Sequence, residues 1–158
     1  MALGDLIIII TFGPVTVLFA YISQIGSYAP SNDFLYDLYL KPLLYAIPLA
    51  LNTEAILHSN NARDLNDDKK AGIVTVAIFL GFTGSYLLYV VLIFAPYLMF
   101  LVMALKESLI YLLPFATIKM AFDLEKDFRY NKLALLPMKT AKLNLIFGLL
   151  YVVSTFLV

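Results

Sequence analysis

From Ile73 to Leu105 the chain runs for some 33 residues without one charged side chain. A helix needs about 20 apolar residues to cross a bilayer, so this run is too long for a single span of ordinary length. Gly81 and Gly84 supply a natural break. The expected division is a piece over 73–80, continuing the preceding polar stretch near the membrane surface, and a span over 85–104 bent at Pro96. Four further runs have span-like character: 6–25, which Gly13-Pro14 should kink, 43–57 with Pro48 at its middle, 108–124 with Pro114, and 143–158. Backbone groups in hydrocarbon must be satisfied within their own segment, so the expected fold class is an all-α integral membrane protein with about five transmembrane helices.

Composition agrees. Hydrophobic residues make up 62% of the 158 and mean hydropathy is +0.88, against about 45–50% apolar in soluble domains. The formal net charge of zero argues against a nucleic-acid partner. With no cysteine, disulfides, thiolate nucleophiles and Cys-based metal sites are excluded. Tryptophan is absent, so aromatic belts at the membrane surfaces are expected from the eleven Tyr, with Phe in the core. No basic region with a cleavage site opens the chain, and the first apolar run therefore reads as a span.

Charge is concentrated at 60–72, where Asn60, Arg63, Asp64, Asp67, Asp68, Lys69 and Lys70 crowd together. On a helix Asn60, Asp64 and Asp68 stand at i, i+4 and i+8 on one face, with Asp67 at its edge. Three carboxylates so close repel one another unless a cation sits between them, and an oxygen-only set suits Mg²⁺. The stretch reads as half of a diphosphate site; a polar loop whose bases balance its acids is the competing reading. Glu54, deep in a span, should face the bundle interior. The lone His58 is a poor metal site and reads as a helix-end hydrogen-bonding residue. Asp33 and Asp37 read as a solvated loop, 125–142 as part of a charged loop opening at Asp123, and Lys119 as snorkelling or cavity-facing. With five spans, the loops at 60–72 and 125–142 share one side, which carries eight of the eleven basic residues. Positive-inside bias puts that side, and the motif loop, in the cytosol.

The run Glu54-Ala55-Ile56-Leu57-His58-Ser59-Asn60-Asn61-Ala62-Arg63-Asp64, followed by Asp68, Ala71-Gly72 and Thr75, resembles the second aspartate-rich motif of the UbiA family of intramembrane prenyltransferases. The likeness extends through Leu3-Gly4-Asp5-Leu6, Thr11-Phe12-Gly13-Pro14, Tyr45-Ala46-Ile47-Pro48-Leu49, Leu136-Pro137, Thr140-Ala141-Lys142-Leu143-Asn144 and Gly148, and is greatest to the animal branch that makes vitamin K₂, a menaquinone. An insertion of about ten residues around 28–38 departs from that pattern. The resemblance implies the C-terminal half of a nine-helix bundle whose first aspartate-rich motif lies in an N-terminal half to which nothing in this chain corresponds, so activity of this piece alone is not expected. It further implies Asn60, Asp64 and Asp68 as catalytic residues and Asp64, Asp67 and Asp68 as Mg²⁺ ligands. Arg63, Lys69 and Lys70 would neutralise the diphosphate. The implied substrates are a polyprenyl (geranylgeranyl) diphosphate and a naphthoquinone acceptor, the setting is the bilayer of the endoplasmic reticulum or Golgi, and a sterol-pathway reductase is an implied partner. Two other readings are a non-catalytic partner-binding protein with the same helices, and a small transporter with Glu54 and Lys119 in a polar pore.

Overall fold

The computed structural model describes residues 4–25 and 40–158. Its elements are α1 (Gly4–Ile10), a π-helical turn (Thr11–Val15), α2 (Thr16–Ile25), α3 (Lys41–Arg63), α4 (Leu65–Lys70), α5 (Val76–Lys106), a 3₁₀ helix (Leu109–Thr117), α6 (Ile118–Arg129) and α7 (Leu136–Leu157). The insertion around 28–38, with Asp33 and Asp37, lies outside the described residues.

Local chemistry explains most of the boundaries. Pro14 has no N–H to give, and the helix widens around it: the backbone N–H and the hydroxyl of Thr16 both donate to the carbonyl of Thr11, five residues back. The wide turn packs closely on α3, since a Cβ added at Gly13 would stand 2.4 Å from the Cβ of Ala50. Pro42 and Pro137 open α3 and α7, where a missing N–H goes unneeded. Gly72 at φ 71° ends the motif segment, and the hydroxyl of Thr75 caps α5 by accepting the N–H of Ile78.

Among the described residues, three helices are long and apolar enough to cross a membrane, at Ile7–Gln24, Val76–Lys106 and Leu136–Leu157. The expected second span is also a long helix, but Asn52, Thr53, Glu54, His58, Asn60 and Asn61 dilute its hydrophobicity. The expected fourth divides into the 3₁₀ helix and the amphipathic α6. Three sequence expectations are corrected. Residues 76–80 do not continue the motif helix; they begin α5, which bends at Gly81 with φ 65°, a value only glycine adopts freely. The first part of the expected charged loop, residues 123–129, is instead the end of α6, held by an Arg129–Glu125 pair at i,i+4 and followed by a left-handed Asn131. The last span starts at Leu136 rather than 143, so the connection shrinks to 130–135.

α3 lies against α5, α7 and the α1–α2 segment, and the core forms where α5, α6 and α7 converge. Phe100 stands edge-on to Phe147 and Tyr151, with centroids 5.2 and 4.7 Å apart. Phe128 covers Tyr89 at 4.8 Å. Tyrosines were expected at the membrane surfaces, yet Tyr89, Tyr97, Tyr111 and Tyr151 are buried. Each finds a hydroxyl partner: Tyr89 with Thr140 at 2.6 Å, Tyr97 with Thr117 at 2.7 Å, Tyr111 with Tyr45 at 3.5 Å, and Tyr151 donating to the Tyr45 carbonyl at 2.8 Å. A phenol is tolerated inside once its polar tip is paired.

Candidate diphosphate site at the end of α3

The helix α3 loses regularity at Asp64, whose ψ of 6° tips the next segment away from the axis. The hydrogen-bond ladder still continues across the bend. The Asp64 N–H donates to the Asn60 carbonyl at 3.0 Å, and the Asp68 N–H donates to the Asp64 carbonyl at 2.9 Å. Asn60, Asp64 and Asp68 therefore keep one-turn spacing, as the i, i+4, i+8 pattern anticipates.

Arg63 ties the first two together. Its Nε and one Nη donate to the two carboxylate oxygens of Asp64 at 2.7 and 2.6 Å, and the same Nη reaches Asn60 Oδ1 at 2.7 Å. The guanidinium holds the Asp64 carboxyl below the usual carboxylate range, hydrogen bonding being the main cause and burial opposing it. Sequence reasoning assigned Arg63 to the diphosphate; in this structure it serves Asp64 and Asn60. Asp67 is turned outward in an exposed pair with Lys70 at 3.2 Å. Among the described residues Asp68 and Lys69 have no side-chain hydrogen bond or ion pair, and no three acidic or histidine side chains converge as a metal cluster.

Below this end lies a buried polar layer. His58 is fully buried, with Nε2 3.0 Å from the carbonyl of Ser85 on α5, so it joins two helices from within rather than finishing one. Glu54, one turn earlier, is buried as its depth predicts, whereas Lys119 is exposed. Asn144 on α7 donates through Nδ2 to Thr53 Oγ1 at 3.3 Å, and Asn52 is 1% exposed with neither amide atom paired among the described residues. Two structural links escaped sequence reasoning: Tyr86 donating to Glu125 at 2.5 Å, and Lys139 donating to Asp127 at 2.5 Å. With His58–Ser85 and Thr53–Asn144, they bring the start of α5, the end of α6 and the start of α7 to the motif end of α3. The basic stretches 63–70 and 126–142 thus share one end of the bundle.

Residues 1–146 match the profile of the UbiA prenyltransferase family. Over 152 residues the chain is 55% identical to UbiA prenyltransferase domain-containing protein 1 of Mus musculus, and likewise to that of Homo sapiens, each alignment covering 96% of this chain and 42% of the relative. The Drosophila melanogaster homolog is 54% identical over 155 residues, 98% of this chain and 40% of its own length. The chain spans about two-fifths of the length of these relatives.

Proposed function

The chain belongs to the UbiA prenyltransferase family, an integral membrane fold, and from that premise we propose that it forms the C-terminal part of an enzyme joining a polyprenyl group to an aromatic ring. The donor in this reading is geranylgeranyl diphosphate and the acceptor a reduced naphthoquinone, as in menaquinone synthesis. The observation that carries it is Arg63 clamping Asn60 and Asp64 one turn before an unpaired Asp68, at the end of the bundle where the basic residues collect.

Asp64 and Asp68 fit Mg²⁺, which usually takes one or two carboxylates together with substrate phosphates. Asp67, engaged by Lys70 and exposed, does not fit. Bound there, Mg²⁺ supplies Lewis-acid neutralisation of the departing diphosphate. Asn60 and Arg63 hold Asp64 at a fixed angle. Because the Arg63–Asp64 pair is partly solvated, it is weak enough for an arriving diphosphate to share the guanidinium. Lys69 offers a second cation, while Lys70 must first leave Asp67. The allylic C–O bond breaks with its electron pair going to diphosphate, a ring carbon of the acceptor attacks the allylic cation, and the ring then loses a proton. The buried layer of Asn52, Glu54 and His58 is the part of α3 from which a quinol hydroxyl would be recognised. Cytosolic exposure of the motif end and residence in the endoplasmic reticulum or Golgi complete the reading.

Thermal unfolding of the detergent-solubilised protein tests it. Mg²⁺ with geranylgeranyl diphosphate should raise Tm, and Asp64→Ala or Asp68→Ala should abolish the rise. A rise that survives both substitutions overturns the proposal. A second reading is a non-catalytic membrane protein whose helices engage a partner such as the sterol-pathway reductase, for which the diphosphate would leave Tm unmoved.

A further inference from the structure

At the end of the bundle opposite the motif, the first turn of α3 meets the last turn of α5, the start of the 3₁₀ helix and the end of α7. Tyr45 is the hub. Its hydroxyl donates to the Glu107 carboxylate and accepts from Tyr111. Two hollows flank this hub. One, of about 270 Å³, has Leu44, Met99, Val102 and Met103 along its wall and Lys106 and Glu107 at its head. The other, of about 410 Å³, has Lys41, Tyr45, Glu107 and Tyr111 on its wall. Glu107 borders both, and among the described residues it pairs with neither Lys41 nor Lys106, although each lines a hollow that it lines. Lys41 instead stands 5.8 Å from the centroid of the Tyr45 ring.

We propose that the groove between the start of α3 and the end of α5 binds one phospholipid with a primary-amine headgroup, of the phosphatidylethanolamine type. The headgroup ammonium meets Glu107, whose carboxylate has acceptor capacity left beyond the Tyr45 hydroxyl. The phosphate meets Lys106 or Lys41. An acyl chain follows Leu44, Met99, Val102 and Met103 away from the charged head. The wall continues into an exposed apolar surface, Leu44 at 48% and Val102 at 50%, so the occupant comes from the lipid phase. A quaternary ammonium has no N–H to donate to Glu107, which distinguishes ethanolamine from choline lipids. The groove is separate from the diphosphate site, since α3 rises roughly 22 Å from Tyr45 to Asn60 at 1.5 Å per residue.

The test is lipid-dependent unfolding of the detergent-solubilised protein, with phosphatidylethanolamine, phosphatidylcholine and phosphatidylglycerol added singly, alongside native mass spectrometry for one retained lipid. Phosphatidylethanolamine should raise Tm more than the other two and stay bound. Water-soluble glycerophosphoethanolamine should give little shift, because it lacks the chain that fills the apolar wall. Glu107→Gln keeps an acceptor for Tyr45 but removes the charge. It should weaken phosphatidylethanolamine about tenfold, the loss expected of one charge-assisted hydrogen bond, and erase its advantage over phosphatidylcholine. Leu44→Trp, which fills the groove, should lower retention of every lipid, and Asp68→Ala should alter nothing here. Equal shifts from all three lipids, undiminished preference in Glu107→Gln, or a full shift from the soluble headgroup overturns the proposal. Should Glu107→Gln fold poorly, Lys106→Gln decides: preserved phosphatidylethanolamine affinity in it and in Leu44→Trp counts against the site.

Discussion

The two ends of the bundle solve the same problem, polar groups at the limits of apolar helices, in opposite ways. At the motif end most ion-pair partners are near in sequence: Arg63 with Asp64, Lys70 with Asp67, and Arg129 with Glu125 lie one, three and four residues apart, while Lys139 with Asp127 lies twelve apart and the Tyr86–Glu125 hydrogen bond spans 39. At the far end they are distant, with Tyr45 and Glu107 separated by 62 residues and Tyr151 and Tyr45 by 106. Local, solvated pairs contribute little to tertiary stability and can be exchanged for a ligand. Long-range phenol contacts, seated on edge-on aromatic rings, tie α3, α5 and α7 together. One end is built to be re-paired and the other to stay put.

The contrast breaks if the far end tolerates damage. Phe100→Ala removes a fully buried ring lying against Phe147, Tyr151 and Tyr111. It should destabilise the protein by about 3 kcal/mol, the low end of the soluble-protein range because the lost side chain faces lipid rather than water when unfolded in the membrane. Denaturant titration in detergent measures it. Tyr45→Phe leaves the Glu107 carboxylate without its phenol donor and should cost about 1–2 kcal/mol in the same assay. Arg63→Gln at the motif end should cost under about 1 kcal/mol, yet lower the affinity for prenyl diphosphate in a binding titration.

The smallest effect is in pH. The folded-state pKa of Asp64 is depressed, so its ion pair contributes stability that is complete above the unfolded value of about 3.9 and is lost as pH falls through the lower folded value. The Tm difference between the parent protein and Asp64→Asn should therefore be constant from neutral pH down to about 5 and shrink below the ordinary carboxylate range. Screening by added salt should shrink it too, whereas the Tyr45 effect should be insensitive to salt.

Much of the fold was legible because hydrocarbon leaves few options. Long uncharged runs can only be helices, and Pro14 could only distort the one it sits in. The one-turn spacing of Asn60, Asp64 and Asp68 was legible for the same reason, being a property of the backbone. Three things were not. The helicity of 123–129 was hidden because an amphipathic helix at a membrane surface and a charged loop share a composition, and only packing of Ala121, Leu124 and Phe128 into the core separates them. The separate start of α5 depended on Gly72 taking a left-handed turn, which glycine permits without requiring. The tyrosines were misplaced because a phenol suits a membrane surface or a core equally until a partner is found for its hydroxyl.

By itself, then, the order of residues determined that this chain is helical, that it belongs in a membrane, and where its acidic cluster lies along the helix; these follow from hydration and from the 3.6-residue period, which act within a few turns. The tertiary structure alone decided that His58 bridges to Ser85, and that Tyr45, Glu107 and Tyr111 meet at all. Those outcomes depend on which helix faces which, and shape complementarity between helices far apart in sequence has no local signature.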